Sequence, residues 1–239
     1  MRIPALHLLA VAALVALGGA ASTPPRGGTV AGTVLAIQDG NQISRDDVYV
    51  YLEEIVRPGK ARTLPGVGQK AEIRQRGLDF VPHVVVVPAG AEVWFPNDDK
   101  DEHNVFSPTD PPFDLGRYPK SPKGKSHRFD DAEEFDIFCD VHRSMWAKVK
   151  VVDSAFIAKV TKGSFSFANV PPGTYKVVAW TSNSQEVKSD KLVVTEGGNV
   201  TLPSALHLQV TLKSGCHDRK DGTPYDAKYG RYSRCPQQR

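Results

Sequence analysis

Residues 134–152 read Glu134-Phe-Asp-Ile-Phe-Cys139-Asp-Val-His142-Arg-Ser-Met145-Trp-Ala-Lys-Val-Lys-Val-Val152. Alternating apolar and polar residues at the two ends of this stretch predict strands at Glu134–Phe138 and Ala147–Val152. The loop between them carries a thiol, an imidazole and a thioether within seven residues. The only other methionine in the chain is Met1, so the thioether at 145 is the single one left after removal of a leader.

The rest of the chain also predicts strands. The sequence contains 18 Pro and 20 Gly, which separate short β-branched and aromatic segments, and no segment shows a sustained helical apolar period. We therefore expect an all-β protein of two sandwiches. The expected strands are Val30–Ile37, Val48–Ile55, Ala71–Gln75, His83–Val87, Glu92–Phe95, His103–Ser107, Ser126–Phe129, Glu134–Phe138, Ala147–Val152, Phe156–Thr161, Ser164–Ala168, Thr174–Trp180, Lys188–Thr195 and Ala205–Leu212.

A second imidazole lies upstream of the loop, at His103. Two imidazoles, one thiolate and one thioether suit copper, because soft sulfur favours Cu(I) and imidazole binds copper in both oxidation states. Three ligands on one short loop, with a fourth on a neighbouring strand, can surround one ion at the end of a sandwich. We therefore expect a copper site formed by His103, Cys139, His142 and Met145. A structural zinc site and ordinary packing of these side chains are the alternatives.

Motifs in the middle of the chain carry a family resemblance. They are Phe80-Val-Pro-His-Val-Val-Val-Val-Pro-Ala-Gly90, Val93-Trp-Phe-Pro-Asn97, His103-Asn104, Phe113-Asp-Leu-Gly-Arg-Tyr118 and the Cys-x₂-His-x₂-Met loop. This segment resembles the cupredoxins, in particular plastocyanin, amicyanin and the methylamine-utilisation type. The resemblance implies one type 1 (blue) copper per chain, with His103, Cys139 and His142 equatorial and Met145 axial. It also implies that Asn104 hydrogen-bonds across to the cysteine-bearing loop.

The first and last groups of strands carry a second resemblance. Its motifs are Val30-Ala-Gly-Thr-Val34, Val48-Tyr-Val-Tyr-Leu52 and Gly163-Ser-Phe-Ser-Phe-Ala-Asn-Val-Pro-Pro-Gly-Thr-Tyr175. They are similar to the carboxypeptidase-regulatory-like, transthyretin-like β-sandwich. We therefore expect residues 29–56 and 153–213 to form one sandwich, split by insertion of a cupredoxin domain at residues 71–152. Simple tandem packing, with the N-terminal strands in the middle domain, is the alternative.

Residues 1–21 have the composition of a signal peptide. Arg2 precedes an apolar run from Leu8 to Leu17, and small residues follow around Ala21. The run is short for a membrane span, so we expect cleavage, no stable membrane span and a periplasmic location. An uncleaved membrane anchor is the alternative.

The remaining cysteines, Cys216 and Cys235, lie in a polar tail at residues 214–239. Because disulfides persist in exported proteins, we expect them to pair, which leaves Cys139 free for the metal. A second metal site at Cys216 and His217 is the alternative. The histidines at 83, 127 and 207 are expected to be structural or surface residues.

The charge of the chain is balanced overall but clustered locally. With 30 basic and 27 acidic residues, the formal charge is +3, so we expect no nucleic-acid partner. The clusters could steer a redox partner protein of unknown identity, or they could be solvated loops. They are acidic at Asp98, Asp99, Asp101, Glu102, Asp130, Asp131, Glu133, Glu134 and Asp136, and basic at Arg117, Lys120, Lys123, Lys125 and Arg128.

Three functions are compatible with these features. The first is a periplasmic electron carrier that is not an enzyme, with His142 as the expected exit for electrons. The second is a copper-binding chaperone or storage module that does not shuttle electrons. The third is a surface- or matrix-binding sandwich with a degenerate metal site, against which the complete ligand set argues.

Overall fold

The computed structural model describes residues 26–55, 64–211, 213–214, 216–225 and 237–238. The expected leader at residues 1–21 and Cys235 lie outside these residues. All regular structure in the described part is β-strand, which confirms the all-β prediction. No helix in these ranges is long and apolar enough to cross a membrane.

The described strands fall into four groups along the chain. The first group is β1 (Gly28–Gln38), β2 (Asn41–Ile43) and β3 (Tyr49–Glu54). The second is β4 (Lys70–Glu72), β5 (Arg74–Gln75), β6 (Phe80–Val81), β7 (Val84–Pro88), β8 (Ala91–Asn97), β9 (His103–Ser107), β10 (Phe113–Tyr118), β11 (Ser121–Phe129), β12 (Glu134–Phe138) and β13 (Trp146–Val152). The third is β14 (Ile157–Lys159), β15 (Ser164–Val170), β16 (Gly173–Trp180), β17 (Val187–Lys188), β18 (Leu192–Val194), β19 (Asn199–Thr201) and β20 (Leu206–Gln209). The last is a ribbon of β21 (Lys213–Ser214) and β22 (Gln237–Gln238).

The first and third groups form one sandwich, called the outer sandwich below. In one of its sheets, β1 pairs with β2, β15, β19 and β20; in the other, β3 and β16 pair with each other and with β14, β17 and β18. Alternating burial explains the arrangement, because Phe165 and Phe167 on β15 and Leu206 and Leu208 on β20 point inward while their neighbours face solvent. The N-terminal strands are therefore completed by strands more than a hundred residues later in the chain.

The second group forms the inner sandwich, which carries the candidate site. One sheet has the order β10-β9-β12-β13-β7, and the other has the order β11-β8-β5-β6 with β4 also paired to β8. Its core contains aromatic side chains with almost no exposed surface, among them Phe80, Phe95, Phe129 and Phe135. This packed core gives the strand ends a rigid base.

The two sandwiches meet at β13, nearly all of which is buried. A small apolar cluster of Tyr51, Val152 and Val178 joins the two cores. Lys150, on β13, is 8% exposed, and its Nζ pairs with Glu186 Oε1 at 2.8 Å across the interface. A buried ammonium requires such a partner, so this ion pair links β13 specifically to the outer sandwich.

Differences from the predicted strands have local causes. β10 was not predicted, because Gly116 and a register shift between Asp114 and Arg117 break its alternation. The strand predicted at Lys188–Thr195 is divided into β17 and β18, and between them the hydroxyl of Ser189 accepts a hydrogen bond from the N–H of Val177 at 2.9 Å.

We expect Val177→Ala to lower the free energy of unfolding by about 2 kcal/mol, because the substitution removes buried methyl groups and leaves a cavity. Val177 has no exposed surface in β16. Val193→Ala on neighbouring β18, where the side chain is 64% exposed, is the matched control and should change it by less than about 0.5 kcal/mol. Equal effects of the two variants in denaturant unfolding would contradict this packing.

Candidate metal centre

Three of the four predicted donor side chains lie together at one end of the inner sandwich. His103 is the first residue of β9, Cys139 directly follows β12, and His142 lies in the loop before β13. Because β9 and β12 are antiparallel neighbours, the start of the first lies beside the end of the second. The sheet thus brings His103 next to residues 139–145, called the metal loop below.

The donor atoms of these three residues fit one shared ion. They all lie within 4.8 Å of one another. Nδ1 of His103 lies 3.1 Å from Nδ1 of His142, which lies 3.9 Å from Sγ of Cys139. Metal–nitrogen bonds of about 2.0 Å and metal–sulfur bonds of about 2.3 Å, meeting at angles of about 100–130°, separate donor atoms by about 3.1–3.9 Å. The two separations given above fall in this range, and the third, between His103 and Cys139, is at most 4.8 Å. The three side chains therefore cluster as candidate ligands of a single metal ion.

Backbone N–H groups surround the sulfur of Cys139. The N–H of Asn104 donates to Sγ at 3.5 Å, and that of Val141 donates at 3.4 Å. Burial raises the pKa of the Cys139 thiol, while these donors act in the opposite direction. The metal-free thiol therefore keeps its proton, and a bound cation would replace that proton and leave the thiolate with its donors in place.

Each histidine of the site has a distinct environment. His103 is fully buried, and its Nε2 lies 2.9 Å from Oδ2 of Asp99, which also accepts the N–H of Leu78. With the proton on Nε2, Nδ1 is the unprotonated nitrogen of His103, and its lone pair is available to an ion between His103, Cys139 and His142. His142 is half-buried, and burial lowers its pKa, which favours the neutral imidazole that a metal requires.

Asn104 connects the metal loop to its neighbours. Its Oδ1 accepts a hydrogen bond from the N–H of Asp140 at 3.2 Å, and its Nδ2 donates to Oδ1 of Asp114 at 2.7 Å. The carboxylate of Asp140 in turn pairs with Arg117 at 3.0 Å. These contacts tie the start of the metal loop to β9 and β10.

Met145 is fully buried in the same apolar cluster as Cys139. Its N–H donates to the carbonyl oxygen of His142 at 3.2 Å, which closes a tight turn at the end of the metal loop. Its own carbonyl oxygen lies 3.1 Å from Nε2 of His217, 72 residues later in the chain. The backbone on both sides of the thioether is therefore fixed.

Sequence reasoning missed several residues that touch the site. It left Asp99 in an acidic run and gave Asp114 and Asp140 no role at the site. Asp99 precedes His103 by four residues, and this spacing is a local signal for a carboxylate–histidine pair. The contact of His217 with the metal loop has no such signal, because it depends on the tail folding back over the inner sandwich.

The other histidines lie elsewhere. His83 stacks on Trp146 at 4.6 Å between ring centroids, His127 stacks on Phe113 at 3.9 Å, and His207 is exposed on β20. Among the described residues, the one cluster of three or more histidine, cysteine or acidic side chains with metal-ligand spacing is the cluster around Cys139.

The disulfide between Cys216 and Cys235 stays a prediction, because Cys235 lies outside the described residues. The antiparallel pairing of Ser214 with Gln237 brings together the chain segments that flank the two cysteines. Cys139 is a free, buried thiol.

Members of the charge clusters have partners within the chain. Asp98 pairs with Arg74 at 2.5 Å, Asp136 pairs with Lys148 at 2.6 Å, and Asp130 pairs with Arg128 at 2.7 Å. These internal pairs reduce the local field that the acidic runs would present to another protein. Steering of a redox partner stays a prediction.

Comparisons with known proteins give structural matches only. No family model matches the chain, and no curated protein matches it significantly. Among solved structures, amicyanin from Paracoccus versutus is 20% identical, with 45% of this chain and 100% of that chain covered and a TM-score of 0.33. A purple cupredoxin from Nitrosopumilus maritimus is 22% identical over 34% of this chain and 99% of that chain, with a TM-score of 0.29.

A copper-containing nitrite reductase from Thermus scotoductus is also similar, at 20% identity and a TM-score of 0.32. The match covers 42% of this chain and only 25% of the reductase. All three TM-scores are below 0.5.

We expect Asp99→Asn to raise the dissociation constant for the bound metal ion by about 10- to 100-fold, because the amide is a poorer acceptor for the Nε2 proton of His103. Asp98→Asn is the matched control, since the adjacent carboxylate pairs with Arg74 instead. A competition titration against a chelator of known affinity measures the dissociation constants of both variants. Equal increases of the dissociation constant in the two variants would show that local negative charge, rather than the contact with His103, strengthens metal binding.

Proposed function

We propose that this chain is an exported type 1 copper protein of the cupredoxin kind that acts in periplasmic electron transfer. The observation that carries the proposal is the convergence of His103, Cys139 and His142 within 4.8 Å at the end of a packed sandwich. One thiolate and two neutral imidazoles, with a methionine in the same loop, form the ligand set associated with blue copper. The cupredoxin-like motifs in the sequence point to the same chemistry.

In this proposal one copper ion is held by His103, Cys139, His142 and Met145. Copper would supply a one-electron couple between Cu(II) and Cu(I). Zinc is the less suitable ion, because its structural sites use four thiolate or imidazole ligands, whereas the fourth ligand here would be a thioether. The protein's part is to hold the donor atoms in nearly the same positions in both oxidation states. The position of His103 in β9 and of Cys139 directly after β12 supports this.

Burial favours an electron carrier over a copper chaperone or storage module. His103, Cys139 and Met145 have no exposed surface, so release of an ion would require the metal loop to open. His142 is the half-buried donor of the set. We assign it as the point at which an electron leaves toward a redox partner protein, and the proposal includes no substrate chemistry and no nucleic-acid partner.

Export and the tail disulfide belong to the same proposal. The composition of residues 1–21 supports cleavage of a signal peptide and a periplasmic location without a stable membrane span. In that compartment Cys216 and Cys235 would be oxidised to a disulfide, whereas the buried Cys139 stays reduced and available to copper.

Cys139→Ser should abolish the intense visible absorption of the copper-loaded protein, because that band arises from charge transfer between thiolate and Cu(II). Arg143→Ala, which changes an exposed side chain of the same loop, is the control and should keep the band. Visible spectra after addition of one equivalent of Cu(II) distinguish the two. An undiminished band in Cys139→Ser would exclude this residue as a ligand.

Met145→Leu should keep copper bound but raise its reduction potential. Leucine removes a weak axial donor, and Cu(I) tolerates the lower coordination number better than Cu(II) does. Cyclic voltammetry of variant and wild type measures the change. An unchanged potential would mean that the thioether does not contact the ion.

A further inference from the structure

Residues 216–225 fold back over the metal loop and form what is called the strap below. The strap belongs to neither sandwich by strand pairing, yet it contacts the metal loop near both of its ends. At one end it reaches the carbonyl oxygen of Met145, and at the other it reaches the backbone of Cys139 and the side chain of Asp140.

His217 is the central contact of the strap. Its Nε2 lies 3.1 Å from the carbonyl oxygen of Met145, and its ring stacks on Phe138 with the centroids 4.2 Å apart and the planes at 20°. The ring also meets the edge of Phe106 at 6.2 Å. Phe138 directly precedes Cys139. The imidazole of His217 therefore contacts the chain near both ends of the metal loop, at Phe138 and at Met145.

Two further groups fasten the other end of the loop. The hydroxyl of Tyr225 donates to the carbonyl oxygen of Cys139, and its ring meets the ring of His217 at 5.6 Å and 87°. The N–H of Lys220 donates to Oδ1 of Asp140 at 3.2 Å, while its Nζ pairs with Asp114 at 2.7 Å. Asp114 is the carboxylate that holds Asn104, so the strap joins the same hydrogen-bond network as the candidate ligands.

The strap has its own internal turn, which limits its freedom. The N–H of Gly222 donates to the carbonyl oxygen of Arg219 at 2.8 Å, and the N–H of Arg219 donates to that of Thr223 at 3.0 Å. Gly222 has a φ of +77°, a conformation that favours glycine. The side chain of Asp221 accepts the N–H of Thr223 at 2.9 Å. A preformed turn of this kind can hold another loop without first becoming ordered.

We infer that the strap holds the metal loop in its ligand-ready conformation before a metal binds, and that His217 and Tyr225 are positioning residues for it. The inference about the metal-free loop holds whichever metal the site takes. The effect on copper retention rests on the proposed function, because opening of the loop would be the step that exposes Cys139 and releases the ion.

The first test follows the reactivity of Cys139 in the metal-free, full-length protein. The rate at which a thiol-specific alkylating reagent modifies the peptide containing Cys139 is measured by mass spectrometry. His217→Phe keeps an aromatic ring against Phe138 but removes the two ring nitrogens, which face the carbonyl oxygens of Met145 and Asp218. Tyr225→Phe removes only the hydroxyl. Each should raise the rate about fivefold, the factor that one neutral hydrogen bond contributes to an equilibrium. His217→Gln, which keeps an N–H donor without the ring, should react more slowly than His217→Ala, which lacks both.

His207→Phe is the matched control, because it makes the same substitution at an exposed site on the outer sandwich and should leave the rate unchanged. Should His217→Phe fail to fold, Tyr225→Phe still decides the matter, since it changes a single atom. Wild-type rates in both strap variants would overturn the inference.

The second test loads the same proteins with copper and measures its transfer to a chelator. Transfer about fivefold faster in His217→Phe and Tyr225→Phe than in wild type supports a strap that retains the ion. Equal transfer rates would overturn that part. Raised thiol reactivity in the strap variants, together with a wild-type protein that binds no copper, would support the inference about the strap and contradict the proposed function.

Discussion

The antiparallel pairing of β9 with β12 is the constraint on which the candidate site depends. It sets the start of one strand beside the end of the other, so that His103 faces Cys139 although the two are 36 residues apart in the sequence. The N–H of Asn104 and the carboxylate of Asp99 then fix the sulfur and the ring. A slip of one residue in this register would turn His103 to the opposite face of the sheet and dismantle the site.

The sequence predicted most of the strands and the donor set because both leave local signals. Alternation at Glu134–Phe138 and the spacing of Cys139, His142 and Met145 can be read without any knowledge of tertiary contacts. β10 could not be predicted from alternation, because a glycine and a bulge interrupt its pattern. Pairing of the N-terminal strands with β15 and β16 was suggested by a family resemblance rather than by spacing.

The supporting groups of the site were the hardest to foresee, because they are contributed by distant segments. Asp114 acts through the amide of Asn104, and His217 reaches the carbonyl oxygen of Met145 from the tail. Asp114 stands in the Phe113–Tyr118 motif, but nothing in that motif indicates a contact with Asn104. His217 lies in a polar tail, where polar residues are usually solvated. Their contacts arise only once the inner sandwich has formed and offers the metal loop as a surface for the strap.

The central claim is that one ion bridges the thiolate of Cys139 and the imidazoles of His103 and His142. It is tested most directly by the visible absorption spectrum of the wild-type protein during titration with Cu(II). We predict an intense thiolate-to-copper band that saturates at one copper per chain, disappears on reduction and returns on reoxidation. Copper bound without this band, or no uptake of copper while Cys139 remains open to alkylation, would contradict the account.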